Sequence, residues 1–156
     1  MRDAIKMFTL VSALALSACG GSGGDDVKKF VGTWRATAGT TTIICPGYDP
    51  ITAPVTENVV WSAGVNSDLV ETDSGSCPIM ADVTGSTASG ASGQACTQSD
   101  GAGGVSTVTA SGYTFVIAPD GHTATENASG NVTYIVDGAT ILCTFNESGS
   151  YQKIGN

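Results

Sequence analysis

The chain has 156 residues, a formal net charge of −8 and only 13% charged residues, which bounds it at one domain once any targeting segment is set aside. Its six basic residues are too few and too scattered for a nucleic-acid binder, which needs clustered cations to displace counterions, and an acidic surface gives no attraction to anionic lipid headgroups. Gly, Ser, Thr and Ala take the place of charges, and helix-type runs of Ala, Glu, Lys and Leu are missing, so an all-β domain built from many short strands is predicted.

The opening MRDAIK carries Arg2 and Lys6, with Asp3 as the one acid, and the next twelve residues, MFTLVSALALSA, carry no charge. A basic n-region before an apolar stretch too short to span a bilayer comfortably reads as a signal peptide over 1–18. It ends in Leu16-Ser17-Ala18-Cys19. These residues resemble the lipobox of bacterial lipoproteins: Leu at −3, small residues at −2 and −1, then Cys. The resemblance implies a diacylglyceryl group on the Cys19 thiol, cleavage between Ala18 and Cys19, and acylation of the new amino group. Two or more acyl chains anchor stably where one does not. Gly20 stands where enteric bacteria place Asp to retain lipoproteins in the inner membrane, so the resemblance also implies the outer membrane of a Gram-negative cell. The alternative is a plain secretory signal cleaved after small residues such as Ala13 or Ala15, with Cys19 free or disulfide-bonded. Residues 19–26 read as the acylated Cys and a Gly/Ser tether with nothing to pack, and residues 27–156 as the β domain, whose charge becomes −9 once 1–18 are removed.

The domain opens with Phe30-Val31-Gly32-Thr33-Trp34. This stretch resembles the G-x-W signature at the first strand of lipocalins and related calycins. The resemblance implies that Trp34 closes the floor of an eight-stranded barrel, under a basic residue from the last strand, for which Lys153 is the only candidate. The other lipocalin signatures, a T-D-Y turn and a late Arg, are missing. FVGTWRAT, TTTIIC, ENVVWSA, DLVETD and PIMADV are strand candidates, and CPGYDPITAP, with three prolines, reads as a loop. The stretch GSTASGASGQACTQSDGAGG reads as a partly mobile loop with Cys96 pinning its middle. Period-two alternation then places Tyr113, Phe115 and Ile117 on one face, Val132, Tyr134 and Val136 on one face, and Ile141, Cys143 and Phe145 on one face. Asp120-Gly121, Gly130-Asn131, Asp137-Gly138 and Ser148-Gly149 read as the turns between strands. Eight to ten antiparallel strands follow, in a meander closing as a small calycin-like barrel or packing as a compact β-sandwich.

The five cysteines make an odd count, and assigning Cys19 to lipid leaves four. An oxidising envelope suits two disulfides. Of the three connectivities, Cys77–Cys96 across a hairpin and Cys45–Cys143 between an early and a late strand are favoured. A zinc site is disfavoured, since there is no C-x-x-C and His122 is the only histidine. The lipobox and β domain together are similar in style to small envelope lipoproteins of myxobacteria and relatives.

Motifs for catalysis are weak. There is no G-x-S-x-G, H-E-x-x-H or P-loop. His122 follows a turn and reads as a solvated residue. Asp73-Ser74-Gly75 matches one aspartic-protease triplet, but that chemistry needs two. Glu71 and Asp73, two apart on one strand, read as a solvated face rather than as an acid–base or cation-binding pair. The three N-x-S/T triplets, at Asn127, Asn131 and Asn146, have no expected use in a bacterial lipoprotein.

The chain is therefore expected to be a non-enzymatic envelope lipoprotein, bound to the membrane through its lipid, with no cofactor, metal or nucleic acid and a β domain for partner binding or a structural role. The alternative is a lipocalin-like barrel holding a small apolar ligand against Trp34, Trp61, Tyr113, Phe115 and Tyr134. Mass spectrometry of the chain extracted from membranes is expected to show a new N-terminus at Cys19 carrying the acyl mass; an unlipidated Cys19 would contradict the anchor.

Overall fold

The computed structural model describes residues 24–73, 77–99, 104–136 and 138–156. The signal peptide, Cys19 and most of the Gly/Ser tether lie outside the described residues. One helix, α1 (Gly24–Phe30), precedes ten strands: β1 (Gly32–Ile44), β2 (Ile51–Pro54), β3 (Asn58–Ala63), β4 (Leu69–Asp73), β5 (Ile79–Thr84), β6 (Thr87–Gly90), β7 (Ala95–Ser99), β8 (Val105–Ile117), β9 (Thr123–Val136) and β10 (Ala139–Gly155). The helix takes in Gly24-Asp25-Asp26, assigned from sequence to the tether. Its acidic first turn and basic last turn complement the helix dipole, and Lys28 and Lys29 reach back three residues to Asp25 and Asp26.

All strand pairings are antiparallel. Eight strands close on themselves in the order β10-β9-β8-β6-β5-β4-β3-β1, and β1 pairs with β10 from Thr33↔Gly155 to Ile44↔Thr144. Of the two architectures left open by the sequence, the barrel is the one formed. The barrel has two unlike halves. In the lower half, Gly32–Arg35 of β1 pair with β3 and Tyr113–Val116 of β8 pair with β6, so β3–β6 complete the wall. In the upper half, Thr40–Ile43 of β1 pair instead with β2, and Val105–Thr109 of β8 with β7. There the sheet runs β2-β1-β10-β9-β8-β7, and among the described residues β2 and β7 do not pair with each other.

Four strands are longer than the sequence suggests. Gly130-Asn131 and Ser148-Gly149 are not turns; they lie inside β9 and β10. A Cβ on Gly130 would stand 2.1 Å from the Thr109 carbonyl oxygen and 2.7 Å from the Phe145 ring, and one on Gly149 would stand 2.6 Å from the Tyr151 ring. These glycines let neighbouring strands and rings approach closely in a curved sheet. Gly39, opposite Gly149, joins FVGTWRAT and TTTIIC into the single strand β1. The other two turn assignments hold: β8 and β9 are joined through Asp120-Gly121, and β9 and β10 through the link ending at Gly138, with positive φ at both glycines. The expected mobile stretch contains β6 and β7, and the proline-rich loop contains β2. At the β6–β7 corner the Gln94 side chain accepts from Met80 N and donates to Met80 O, both at 2.7 Å, so its amide substitutes for a strand residue.

The lower end is sealed. Phe115 is fully buried, with Trp34, Trp61 and Tyr151 rings centred 5.3, 5.7 and 5.5 Å away and Phe30 of α1 at 6.4 Å. The Trp34 indole N–H donates to the Phe30 carbonyl at 2.8 Å, which docks the helix under the barrel. Lys153 lies 5.5 Å from the Trp34 ring centroid and donates to the Lys29 carbonyl at 3.0 Å. This is the floor that the G-x-W resemblance implies. Burial lowers the Lys153 ammonium below its ordinary pKa.

Both favoured disulfides are present. Cys45–Cys143 spans 98 residues and joins the residue after β1 to β10; Cys77–Cys96 joins the chain two residues ahead of β5 to β7. Constraint of so long a loop predicts that Cys45→Ser with Cys143→Ser lowers unfolding free energy by about 2–5 kcal/mol. Trp34→Ala is expected to cost about 3–5 kcal/mol through the cavity it leaves. Denaturant unfolding measures both, and a Trp34→Ala loss below about 1 kcal/mol would contradict a packed floor.

Candidate functional site: the barrel cavity

Above the aromatic floor the barrel is hollow. A cavity of about 400 Å³ occupies its middle and upper part. Its walls combine apolar side chains (Val55, Val59, Ile79, Val108, Phe145 and the alanines 110 and 128) with Tyr113 and Tyr151. The entrance lies between the unpaired edges of β2 and β7. Exposed Ala53, Pro54, Thr56 and Glu57 flank it on one side and Ala95 on the other. Cys77, Pro78 and Cys96 line the wall between, so the Cys77–Cys96 bridge also sets the position of the rim.

The polar lining has one dominant feature. The sequence contains four glutamates, Glu57, Glu71, Glu126 and Glu147, and all four line the cavity. Glu71 and Glu126 are 3% and 4% exposed. Each is placed by strand parity. Glu71 follows inward-facing Leu69 on β4, Glu126 sits between inward-facing Ala124 and Ala128 on β9, and Glu147 lies between Phe145 and Gly149 on β10. Thr41 of β1 donates its hydroxyl to Glu147. Glu57 lies at the entrance. No Lys, Arg or His is among the lining residues.

Tyr113 and Tyr151 share this environment. The pair Phe115↔Glu126 on β8 and β9, and the pair Gly149↔Glu126 on β9 and β10, put one tyrosine on either side of Glu126, each two residues along its strand. Gly149 leaves the space over which the Tyr151 ring lies. Burial, then the charges of Glu126 and Glu71, push the Tyr113 phenol well above its ordinary value of 10.0. Burial, then Glu126 with Glu147 and Glu71, push Tyr151 upward in the same way. The Tyr113 hydroxyl is deep in the barrel beside Glu126, with which it interacts; among the described residues the buried Trp61 indole N–H has no hydrogen-bond partner.

Of the five aromatic residues expected to contact a ligand, Tyr113 lines the cavity. Trp34, Trp61 and Phe115 are spent on the floor instead, because their rings interlock. Tyr134 lies near the end of β9, opposite Ile141, half-buried and away from the cavity lining. Glu71 is not on a solvated face: the solvated side of β4 belongs to residues of the other parity. Asp73 ends β4, its side chain and the rest of the Asp73-Ser74-Gly75 triplet lying outside the described residues. His122 is exposed in the β8–β9 turn, where Asp120 accepts from the backbone N–H groups of His122 and Thr123, and it is not a cavity residue. Sequence reasoning missed Glu57, Glu126, Glu147 and Tyr151. The available signal was a charged residue at an inward position of an alternating strand. No protein-family model, no curated protein and no solved structure matches the chain.

The two phenols remain protonated in the fold where an unfolded tyrosine ionises. Their contribution to stability is therefore intact below about pH 10 and declines as pH rises above it. Thermal unfolding midpoints are expected to fall more steeply above pH 10 in the parent chain than in the Tyr113→Phe, Tyr151→Phe double variant; equal slopes would show the phenols to be solvated.

Proposed function

We propose that the protein is a binding protein of the cell envelope. A barrel held to the membrane through a lipid on Cys19 takes up a compact small molecule in its interior. The observation that carries this reading is a hollow above a sealed floor: about 400 Å³ of space, lined by apolar walls and a few inward polar groups. Binding pockets of small-molecule carriers have this size and character. A domain that served only as scaffold would have no need to keep inward positions of β9 and β10 small at Ala128 and Gly149 while placing Glu126 and Glu147 beside them. The lipobox-like segment, the Gly/Ser tether and the two disulfides support an exported, tethered location. Capture and holding, rather than turnover, is the activity that this arrangement favours, because His122, the chain's only histidine, is away from the cavity.

Filling the hollow tests the reading. Ala128 is half-buried in the cavity wall, opposite Tyr113 on one side and Glu147 on the other. The parent chain, purified gently from its own cells, is expected to carry a small molecule in native mass spectrometry. Ala128→Trp is expected to lose that mass while keeping its two disulfides and its β-type circular dichroism. A parent chain that carries nothing, or an Ala128→Trp chain that keeps the same adduct, would contradict the proposal.

A further inference from the structure

We propose a second binding site, independent of the cavity: a groove on the outer wall of the barrel that takes a neutral glycan chain. The groove encloses about 500 Å³ and lies across the outside of β1, β10, β9 and β8. Strand register builds it. Thr40, Ser148, Asn127 and Thr114 stand side by side in one row across the four strands. Thr42, Asn146, Ser129 and Gly112 form the next row. Neighbours lie about 5 Å apart across the strands, and the rows about 7 Å apart along them. Tyr113, Ala128 and Glu147 also border the groove, but strand parity sends their side chains to the interior.

Three observations point to the occupant. First, every side chain in the two rows apart from Gly112 ends in a hydroxyl or a carboxamide, so the surface offers donors and acceptors together and carries no charge. Thr40, Asn127, Asn146 and Ser148 are exposed, and the Thr42 hydroxyl is held by that of Thr52 at 3.2 Å. Second, the neutral zone extends beyond the groove. Along β9 from Thr125 to Thr133 and along β10 from Leu142 to Gln152 no outward side chain is charged, in a chain with 14 acidic residues. An anion finds no cation in the two rows, a cation finds no outward carboxylate, and an apolar partner finds no large aliphatic or aromatic side chain. A polyhydroxylated, uncharged chain matches what remains. Third, Gly112 leaves room that the fold does not require. Its φ is not positive, and a Cβ there would meet only the Ser129 hydroxyl oxygen, at an ordinary 3.6 Å. Gly130 and Gly149 are demanded by close neighbours, whereas Gly112 is demanded neither by backbone conformation nor by packing. It keeps the end of the second row open, at the register shift between Ala110 and Gly112 where β8 bends.

Asn127 and Asn146 carry their own reporters, the side-chain amide groups. The full chain, labelled with nitrogen-15 and held in lipid nanodiscs so that any N-terminal anchor is kept, is titrated with maltohexaose and cellohexaose. The anionic hexamer of galacturonic acid and the cationic hexamer of glucosamine serve as charged counterparts. At least one glucose hexamer is expected to move the Asn127 and Asn146 amide resonances saturably, with a Kd on the order of 1 mM, the affinity of a few net hydrogen bonds. Both charged hexamers are expected to bind more weakly. Gly112→Leu, which fills the groove, is expected to weaken the glucose hexamer about tenfold or more. Asn127→Ala with Asn146→Ala, at exposed positions with little risk to the fold, is expected to do the same, read from the backbone amides of β9 and β10. No movement with either glucose hexamer, tighter binding of a charged hexamer, or unchanged binding in both variants would overturn the proposal. Amide shifts that grow with protein concentration before any sugar is added would overturn it in favour of a contact between two copies of the chain.

Discussion

Pairing of β1 with β10, from Thr33↔Gly155 at the floor to Ile44↔Thr144 at the rim, gives this sheet an inside. Without that ladder the strands would form an open twisted sheet with one solvated face, and the alternation of side chains would carry no meaning beyond amphipathicity. With it, every second residue of eight strands is committed to one enclosed volume. The close approach that closure requires is visible where Gly39 faces Gly149: a Cβ at Gly39 would stand 2.5 Å from the Ser148 carbonyl oxygen. Cys45–Cys143 fastens the same pair of strands covalently near the rim. The ladder and the disulfide thus constrain one seam, and the cavity exists because the seam is shut.

How the enclosed volume is used differs from bottom to top. Below, large rings meet around Phe115, and α1 caps them through Phe30 and the Trp34 N–H. That half is a filled core and supplies the stability. Above, inward positions are small or polar: Ala110, Ala128, Gly149, Glu126, Glu147. The barrel wall also changes partners between the halves, with β2 and β7 replacing the β3–β6 segment along β1 and β8. The unpaired edges left by that exchange form the entrance. A rigid base and an accessible upper chamber follow from one topological choice.

Much of this was legible in the residues. Period-two alternation located Tyr113, Phe115, Ile117, Val132 and Cys143 on inward faces, and the placement of four cysteines on a hairpin and on an early and a late strand favoured the two disulfides that form. The G-x-W resemblance placed Trp34 and Lys153 together at the floor. Three things were not legible. Glycines at 39, 130 and 149 look like punctuation, because local reasoning reads Gly as a turn; only the neighbouring strand, distant in sequence, shows that they make room for backbone and rings. The stretch around Cys96 looks like a linker because Ser, Thr and Gly pack weakly, yet pairing with β8 organises it. Glu71, Glu126 and Glu147 look solvated because glutamate usually is. Their inward position follows from register, and register is set by closure, which no local stretch announces.

A barrel interior that buries Glu71 and Glu126, with Glu147 partly covered and Glu57 exposed at the entrance, is the central claim, and the glutamates themselves can report on it. Selective carbon-13 labelling of glutamate side-chain carboxyls would give four resonances, one for each of Glu57, Glu71, Glu126 and Glu147, assignable by single Glu→Gln changes. A paramagnetic relaxation agent dissolved in the water is expected to broaden the Glu57 resonance strongly and the Glu71 and Glu126 resonances far less. Glu71 and Glu126 resonances broadened as strongly as that of Glu57 would contradict a buried chamber.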